Sequence, residues 1–457
     1  MLVTAQGWWL QDAGAVDPQP PLAGEHRADV VVVGGGYTGM WAAWHLRERG
    51  ADVVLLDAGI CGEGPSGRNG GFVDHLAHAA PRLRALAGDE AARATVHASL
   101  AAVAAIGTWC AEHAPSADFR RGGQIVAAAA PAQDGTEDGA VAACAALGLA
   151  GELLPLSPAE VRSRCASPVL RGGVLAPSTA TVHPGHLARA LRAALLERGV
   201  RVFERARVTG LAGATVRTAH GRVVAGSALL GLNAWSAAVP PLRRRLTVTS
   251  SHMVITEPVP DVLEEIGWTG GECITDSRHM IHYFRTTPDG RIAFGWGGGR
   301  VVRGARLNGH AEVDRVLAAE VERHLRRFFP QLEGRSVSHA WGGPIDVSPT
   351  HLPVIRSTGE RTFAGFGYTG NGVGPSQMVG RALASMALGR RDEHTELAIV
   401  DPPPVLVPPE PFRYAGGAVI RRALLRKEAA EEEGRRVDPL TRFVSGIPER
   451  LGIHVGR

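Results

Sequence analysis

The sequence predicts an α/β protein in which a parallel sheet is intertwined with an antiparallel sheet. Short, nearly continuous apolar runs joined through a helix, as in Ala28–Ala58, indicate parallel strands buried on both faces. Alternating runs joined by a tight turn, as in Met280–Trp296, indicate antiparallel strands with one covered face. Because the two kinds of segment are interleaved along the chain, we expect two intertwined domains rather than two consecutive ones.

A glycine turn opens the first parallel unit and carries the pattern G-x-G-x-x-G as Gly34, Gly36 and Gly39. Gly34 permits the turn, Gly36 lets the backbone approach a pyrophosphate, and Gly39 lets the following helix pack closely on the strand. Asp57 ends the second strand, where a carboxylate can bind both hydroxyls of an adenosine ribose. The strand, the glycine turn, the helix and the acidic residue follow one another in the order and spacing of a dinucleotide-binding unit. This predicts a dinucleotide site at the helix N-terminus.

Other elements follow from periodicity and turn residues. The Pro-Asp-Gly turn at Pro288–Gly290 predicts a hairpin between Met280–Thr286 and Arg291–Trp296. Further strands are predicted at Phe119–Ala127, Val200–Glu204, Ala206–Leu211, Leu246–Thr256 and Arg361–Phe366. Helices are predicted at Tyr37–Arg49, Gly185–Arg198, Ala311–Phe329, Val379–Leu388 and Ala415–Glu433, the last of them a charged helix whose outer face is solvated.

The composition is that of a globular protein, with 457 residues, 45% of them hydrophobic and 21% charged. A net charge of +4 with interleaved signs predicts neither nucleic-acid nor membrane partners, and we see no signal peptide. The five cysteines are scattered without a C-x-x-C pair, so we expect a cytoplasmic protein with no disulfide framework and no metal site.

Four separated pieces of sequence resemble the D-amino-acid-oxidase type of FAD-dependent oxidoreductase, in the order that this superfamily has them. They are VVVGGGYTG with Asp57, SGRNGGF at Ser66–Phe72, HPGHLARAL to GVRVFERARV at His183–Val208, and WGGPIDVSPTHLPVI to GYTGNGVG at Trp341–Gly374. The superfamily includes glycine and sarcosine oxidases, and SGRNGG and the tail PPEPFRY are most similar to the γ-glutamylputrescine-oxidase-like branch. The resemblance implies a glutathione-reductase-like FAD-binding Rossmann domain intertwined with an antiparallel-sheet substrate domain.

The resemblance also implies domain limits and a set of cofactor-binding positions. A lead-in covers residues 1–27, the FAD-binding domain 28–80, 166–240 and 335–395, the substrate domain 81–165 and 241–334, and a Pro-rich and helical C-terminal extension 396–457. The positions implied to bind FAD are Gly34, Gly36, Gly39, Asp57, Ser66, Arg68, Asn69, Gly70, Val208, Gly343, Gly370, Asn371 and Gly372.

The chain departs from the sarcosine-oxidase-like members at three positions. The segment in which those relatives attach FAD to a cysteine has none here, so we expect non-covalent FAD. Their substrate-binding lysine corresponds to Gly374 and their oxygen-activating lysine falls near Ala293, and Lys427 is the only lysine in this sequence. A simple N-methyl amino acid is therefore a less favoured substrate.

Three residues are candidates for contact with the substrate. Tyr283 and Arg285 share one face of their strand, and His282 and Phe284 share the other. If the first face lines the pocket, Tyr283 and Arg285 would hold the substrate; the alternative is that Arg285 is a surface residue beside the hairpin turn. Arg68, within SGRNGG, is implied to lie beside the reactive face of the flavin.

We therefore expect an FAD-dependent amine or amino-acid oxidase that transfers a hydride from the substrate to flavin N5, giving an imine, with oxygen as acceptor. The missing lysines leave open a dehydrogenase of the same fold that passes electrons to a quinone or a carrier protein. An FAD monooxygenase, which would need a reductant, and a non-catalytic nucleotide-binding protein stay open as well.

Overall fold

The computed structural model describes residues 1–304, 306–307 and 309–455. Ala305 and Asn308, in the predicted substrate domain, and Gly456 and Arg457, in the predicted C-terminal extension, lie outside the described residues. The described chain forms two large sheets and one two-stranded sheet, Phe72–Val73 with Ala180–Thr181.

The first large sheet is built on four parallel strand pairs. Gly24–Val33 lies between Val53–Leu56 and Gly221–Leu230, and these two strands pair in turn with Arg201–Phe203 and Thr362–Phe366. The central strands are buried on both faces because helices cover the sheet, which explains their unbroken valine and leucine runs. Three antiparallel strands extend this sheet: Gly210–Ala212, Thr215–Arg217 and Val354–Gly359.

The second large sheet is mainly antiparallel. Its strands are, in spatial order, Leu2–Val3, Val337–Val347, Thr247–Thr256, Ile292–Trp296, His282–Thr286, Cys273–Asp276, Gln124–Ala127, Gly173–Ala176 and Leu154–Leu156, and Val301–Val302 also pairs with Thr247–Thr256. One face packs against the helix Arg315–Phe328 through a core that contains Phe284, Phe294 and Phe328. The predicted intertwining of a parallel and an antiparallel sheet is confirmed.

The helices connect and cover these sheets. Tyr37–Glu48 contacts both Pro184–Glu197 and Val373–Ala387, and the last of these also contacts Ala80–His113. The other helices are Gly7–Asp12, Pro65–Arg68, Asp138–Ala146, Pro158–Arg164, Pro260–Glu265, Phe412–Glu432, Pro439–Ser445 and Ile447–Arg450. By length and composition alone, Ala77–His113 could cross a membrane. It is interrupted at Gly88, where φ is +79°, and its apolar side chains enter the main core.

Several predicted bounds change for physical reasons. The predicted strand Phe119–Ala127 is reduced to Gln124–Ala127 because Gly123, at φ +78°, breaks the extended backbone. The helix after the second glycine turn begins at Val373 rather than Val379. The lead-in is more ordered than its prolines suggested, since Gly7–Asp12 is helical and Trp9 is buried against Trp341.

Candidate active site

A cavity of about 540 Å³ lies where the two sheets meet. Its lining comes from the first glycine turn, the loop around Ser66–Gly70, the strand Val337–Val347, the second glycine turn and the C-terminal extension. The predicted site residues that line it are Gly36, Ser66, Arg68, Asn69, Gly70, Tyr283, Gly343, Gly370, Asn371 and Gly372. The structure therefore brings most of the predicted site residues to one place.

The three glycines of the first turn have different surroundings. Gly34 has φ +103°, and a Cβ there would lie 2.4 Å from the carbonyl oxygen of Gly231. A Cβ at Gly39 would lie 1.9 Å from the carbonyl oxygen of Gly34, so this glycine brings the helix onto the strand. At Gly36 a Cβ would meet only the Ser66 Oγ, at 3.0 Å. Of the three, Gly36 alone lines the cavity, as the backbone position open to a phosphate.

Asp57 and Val208 lie away from the lining of this cavity. The carboxylate of Asp57 accepts hydrogen bonds from the backbone N–H groups of Gly35, at 2.7 Å, and Gly59, at 2.6 Å. Burial is the largest influence on this carboxyl and raises its pKa. Asp57 therefore fixes the glycine turn directly, and Val208 packs against the core beneath the parallel sheet. Their predicted contacts with ribose and adenine stay predictions.

The loop Ser66–Gly70 is held against the first turn by its own polar groups. The Ser66 Oγ accepts a 2.9 Å hydrogen bond from the backbone N–H of Tyr37, at the start of the helix. The Asn69 amide donates to the carbonyl of Ser66 at 2.7 Å and accepts from the N–H of Gly71 at 2.7 Å. These bonds orient the loop so that its backbone faces the cavity.

The side chain of Arg68 is held by contacts with two other segments. It contributes to the lining, but its guanidinium donates to the carboxylate of Glu312 at 2.9 Å and to the carbonyl of Ala5 at 2.5 Å. The side chain is buried and its charge is already paired. Arg68 therefore joins the lead-in and the loop, and its predicted place beside the reactive face of the flavin stays a prediction.

The second glycine turn meets the N-terminus of the 15-residue helix Val373–Ala387. Gly370 and Gly372 line the cavity with Asn371 between them, and a Cβ at either glycine would come no closer than 3.5 Å to another atom. The nearby Gly343 has no atom within 4 Å of such a Cβ. The unpaired N–H groups of this helix start favour negative charge at this end of the cavity.

The face of the strand His282–Thr286 that carries Tyr283 looks into the cavity. Tyr283 Oη lies 2.8 Å from Ser251 Oγ, and burial raises the pKa of this phenol to about 12. On the opposite face, the His282 ring is fully buried and lies 2.6 Å from a carboxylate oxygen of Asp276. Phe284 belongs to the aromatic core on that side.

Arg285 shares the face of Tyr283 but does not line the cavity, which corrects the prediction that it holds the substrate. Its guanidinium donates to the carbonyls of Val182, at 2.5 Å, and Gly71, at 3.4 Å, and lies 5.6 Å from the Trp9 ring. Burial lowers the pKa of Arg285 to about 10. The alternative of a surface arginine is wrong as well, because the residue is 2% exposed.

Two parts of the lining were not predicted from the sequence. Asp346 is fully buried in the strand Val337–Val347, and burial raises its pKa to about 7, although it accepts a 2.5 Å hydrogen bond from the N–H of Gly367. A lone acid within an apolar strand was the signal for it. The other part is the C-terminal extension, expected only to pack on the body, whose helix Phe412–Glu432 lines the cavity.

In the described part of the chain, two groups of potential metal ligands lie outside this cavity, one formed by Asp392, Glu393 and His394 and the other by Asp12, His183 and His186. Asp12, His183 and His186 place one ligand atom each within 4.8 Å of one another. The His183 Nδ1, however, lies 3.1 Å from the backbone N–H of His186 and caps the helix Pro184–Glu197 as an acceptor. The proton of a neutral ring is then on Nε2, which cannot bind a metal in that form.

The residues present fit an FAD. Backbone positions without side chains, at Gly36 and Gly370, face one cavity at two helix N-termini, where phosphate oxygens and an electron-rich ring edge are stabilised. Gly343 faces the same cavity from the strand Val337–Val347. A lysine at position 374 would not fit, because a Cβ there would lie 2.0 Å from the carbonyl oxygen of Asp74.

The fold and site define the class of protein. Residues 29–386 match the family model described as FAD dependent oxidoreductase, so the chain belongs to this family and is an FAD-dependent oxidoreductase. The predicted family, fold and cofactor are confirmed.

Individual relatives span nearly the whole chain. The γ-glutamylputrescine oxidoreductase of Escherichia coli (strain K12) is 30% identical over 392 residues, covering 84% of this chain and 88% of that protein. A probable oxidoreductase, OrdL, of Rhizobium meliloti (strain 1021) is 29% identical over 421 residues, covering 89% of this chain and 91% of that protein. The glycine oxidase of Geobacillus kaustophilus has the same fold, with a TM-score of 0.65 at 19% identity, covering 80% of this chain and 96% of that chain.

Proposed function

We propose that this enzyme oxidises the C–N bond of an amine or amino acid to an imine, with molecular oxygen as electron acceptor. The observation that carries the proposal is the position of Tyr283, a hydrogen-bonding side chain, in the same cavity as both glycine turns. Bound FAD supplies the oxidising chemistry by accepting a hydride from the α-carbon. The similarity to an enzyme named for γ-glutamylputrescine, an amine, supports this class of substrate.

Tyr283 and Ser251 form a hydrogen-bond chain that can hold the amine. The Ser251 hydroxyl donates to the carbonyl oxygen of Trp296 at 2.9 Å, so the proton between Ser251 and Tyr283 comes from the phenol. The phenol oxygen then keeps lone pairs that accept a hydrogen bond from an amine N–H. Since its pKa is about 12, the phenol stays neutral at physiological pH and does not trap a protonated amine as an ion pair.

The surroundings of the cavity support orientation rather than acid–base catalysis. Trp341 donates from its indole Nε1 to the carbonyl of Arg68 at 2.7 Å, and Tyr368 Oη lies 2.6 Å from Thr38 Oγ1. These bonds fix two aromatic walls between the sheets. Holding the α-carbon in one geometry in a site with little water is a large part of the rate enhancement in such reactions.

The identity of the electron acceptor is a more specific proposal than the oxidation of an amine. The single lysine, Lys427, lies on the helix Phe412–Glu432. The positions that correspond to the two lysines of sarcosine-oxidase-like relatives hold Gly374 and the fully buried Ala293. If oxygen is the acceptor, a cation other than these lysines must attract electrons, and the protonated substrate or product is available in the cavity.

The test is an anaerobic amine panel followed by aeration. Bleaching of the flavin absorbance by an amine, release of the matching carbonyl compound, and recovery of the absorbance in air with hydrogen peroxide would support the proposal. Bleaching with slow recovery in air and fast recovery with a quinone would identify the dehydrogenase alternative. Bleaching by NAD(P)H alone would identify a monooxygenase.

A cytoplasmic location and non-covalent FAD belong to the same proposal. All five cysteines are free and buried, which suits a reducing compartment. The segment Trp341–Val354, in which related enzymes attach their flavin, contains no cysteine.

A further inference from the structure

The helix Phe412–Glu432 forms one wall of the candidate active site although it lies outside the segment that matches the family, residues 29–386. Residues four positions apart lie on one side of a helix. The cavity-lining residues at this spacing are Phe412, Gly416, Ile420 and Leu424. The C-terminal extension therefore presents a continuous stripe to the cavity, rather than touching it at one end.

Buried polar contacts fix this wall to the antiparallel sheet. Arg421 donates from Nε to the carbonyl oxygen of Gly298 at 3.0 Å. Two turns further on, the carboxylate of Glu428 accepts a 2.9 Å hydrogen bond from the backbone N–H of Met280, beside the cavity-lining Ile281. At the other end of the stripe, Arg413 donates to the carbonyl oxygen of Leu246 at 3.1 Å, next to the strand Thr247–Thr256. Because contacts at both ends hold the stripe against the sheet that carries Tyr283, the distance between wall and sheet is set by the fold.

The wall presents mainly apolar groups to the cavity. A Cβ at Gly416 would meet no atom within 4 Å, so the stripe has a recess between the side chains of Phe412 and Ile420. The nearby guanidinium groups are engaged, since Arg413 pairs with Glu410 and Arg421 donates to backbone carbonyls. Further apolar lining comes from the end of the chain, at Ile447, Pro448, Leu451 and Ile453.

We propose that this wall is the subsite for an extended apolar substituent of the substrate, so that the substrate is an amine carrying an alkyl or aryl chain of several carbons. The inference rests on the proposed amine oxidation for the identity of the reacting group. It makes Gly416 the residue that sets how wide a substituent fits, and it assigns the C-terminal extension to substrate recognition.

The expected signature is a dependence on chain length. Burial of each methylene group should raise kcat/KM by about fourfold until the recess is filled. Primary amines from butylamine to octylamine provide the series, and ω-amino acids of equal length add a terminal carboxylate. The carboxylate should lower kcat/KM because the two guanidinium groups of this helix that line the cavity, Arg413 and Arg421, are already bound within the protein.

The variant that tests the wall is Gly416→Phe, which places a ring in the recess and whose Cβ meets no atom within 4 Å. In this variant most of the gain in kcat/KM from butylamine to octylamine should be lost. Gly416→Ala, which adds one methyl group to the recess, should lose a smaller part of that gain. Ala418→Phe, on the exposed side of the same helix, is the matched control and should not alter the length dependence.

A binding measurement separates this inference from the proposed reaction. Straight-chain alcohols of the same lengths cannot be oxidised as amines, and they should raise the Tm of the holoenzyme increasingly with length, except in Gly416→Phe. If no amine reacts but this pattern holds, the subsite stands and the proposed function fails. If amines react with no length dependence, or ω-amino acids are preferred, the inference fails and the function stands; if neither pattern appears, both fail.

Discussion

The substitution Gly36→Val separates the two roles of the first glycine turn. Gly36 has φ −79°, which valine adopts without strain, and a Cβ there would contact only the Ser66 Oγ, at 3.0 Å. The valine methyl groups would instead occupy the space in front of the N–H groups that begin the helix Tyr37–Glu48. We therefore expect a folded protein that has lost most of its affinity for FAD.

The magnitude follows from the hydrogen bonds at stake. A hydrogen bond to a charged group contributes about 1.5–3 kcal/mol, so excluding a pyrophosphate from two backbone donors costs about 3–6 kcal/mol. This corresponds to roughly 10²- to 10⁴-fold weaker binding. The cost to folding is limited to the hydrogen bond between Tyr37 and Ser66, about 1 kcal/mol.

The assay is flavin content per protein after purification, with the Kd for added FAD and the Tm of each variant. Gly139→Val, at an exposed helix position with open space around it, is the control for adding the same side chain elsewhere. Gly39→Val should misfold, because its Cβ would lie 1.9 Å from the Gly34 carbonyl oxygen. Normal FAD affinity in Gly36→Val would refute the assignment of this turn to the pyrophosphate.

Three further predictions follow from the site. Arg285→Ala should lower the free energy of unfolding by about 1–3 kcal/mol, because the buried carbonyl of Val182 loses the guanidinium as its donor, while that of Gly71 keeps the N–H of Val182. Activity on acidic and neutral amines should fall in equal proportion, and a loss confined to acidic amines would contradict the structural role. Burial raises the pKa of Asp346 to about 7, so between about pH 4 and 7 the carboxyl ionises in the unfolded state and keeps its proton in the folded state. The free energy of unfolding should therefore fall by about 4 kcal/mol over this range, and Asp346→Asn should flatten this part of the pH profile of urea unfolding. An unchanged profile would mean that the carboxyl titrates normally. Acid precipitation should release intact FAD into the supernatant, and flavin that remains with the pellet would show a covalent link.

The parts of the site built from local sequence could be predicted. The glycine turn at Gly34–Gly39 depends on backbone conformation and close packing within one strand–helix unit, and both are encoded in neighbouring residues. The alternation of side chains along the strand predicted correctly that Tyr283 and Arg285 share a face and that His282 and Phe284 share the other.

The alternation of side chains along the strand did not show how far the cavity extends along the face that carries Tyr283. Arg285 is two residues beyond Tyr283, which places it under the backbone of Gly71 and Val182, segments that are distant in sequence. The contacts that occupy its guanidinium, and those between Arg68 and Glu312, form only when the chain is folded. The residue type indicated a positively charged side chain in each case, but it did not show whether that charge was already paired with groups of the protein.

The C-terminal extension was the largest omission, for a similar reason. The helix Phe412–Glu432 has charged residues on several sides, so its pattern favoured a solvated helix. Many of these charges bind the body of the protein, as Arg421 and Glu428 do, and the stripe around Gly416 faces a cavity rather than a core.

The most direct test of amine oxidation by the bound FAD is the anaerobic rate of flavin bleaching by the most reactive amine of the panel, compared with the same amine deuterated at its α-carbon. If the α-C–H bond breaks as the hydride is transferred, the deuterated amine should bleach the flavin several-fold more slowly, without NAD(P)H present. Bleaching at the same rate with both amines in the chemical step, or no bleaching until NAD(P)H is added, would contradict oxidation of a C–N bond at this site.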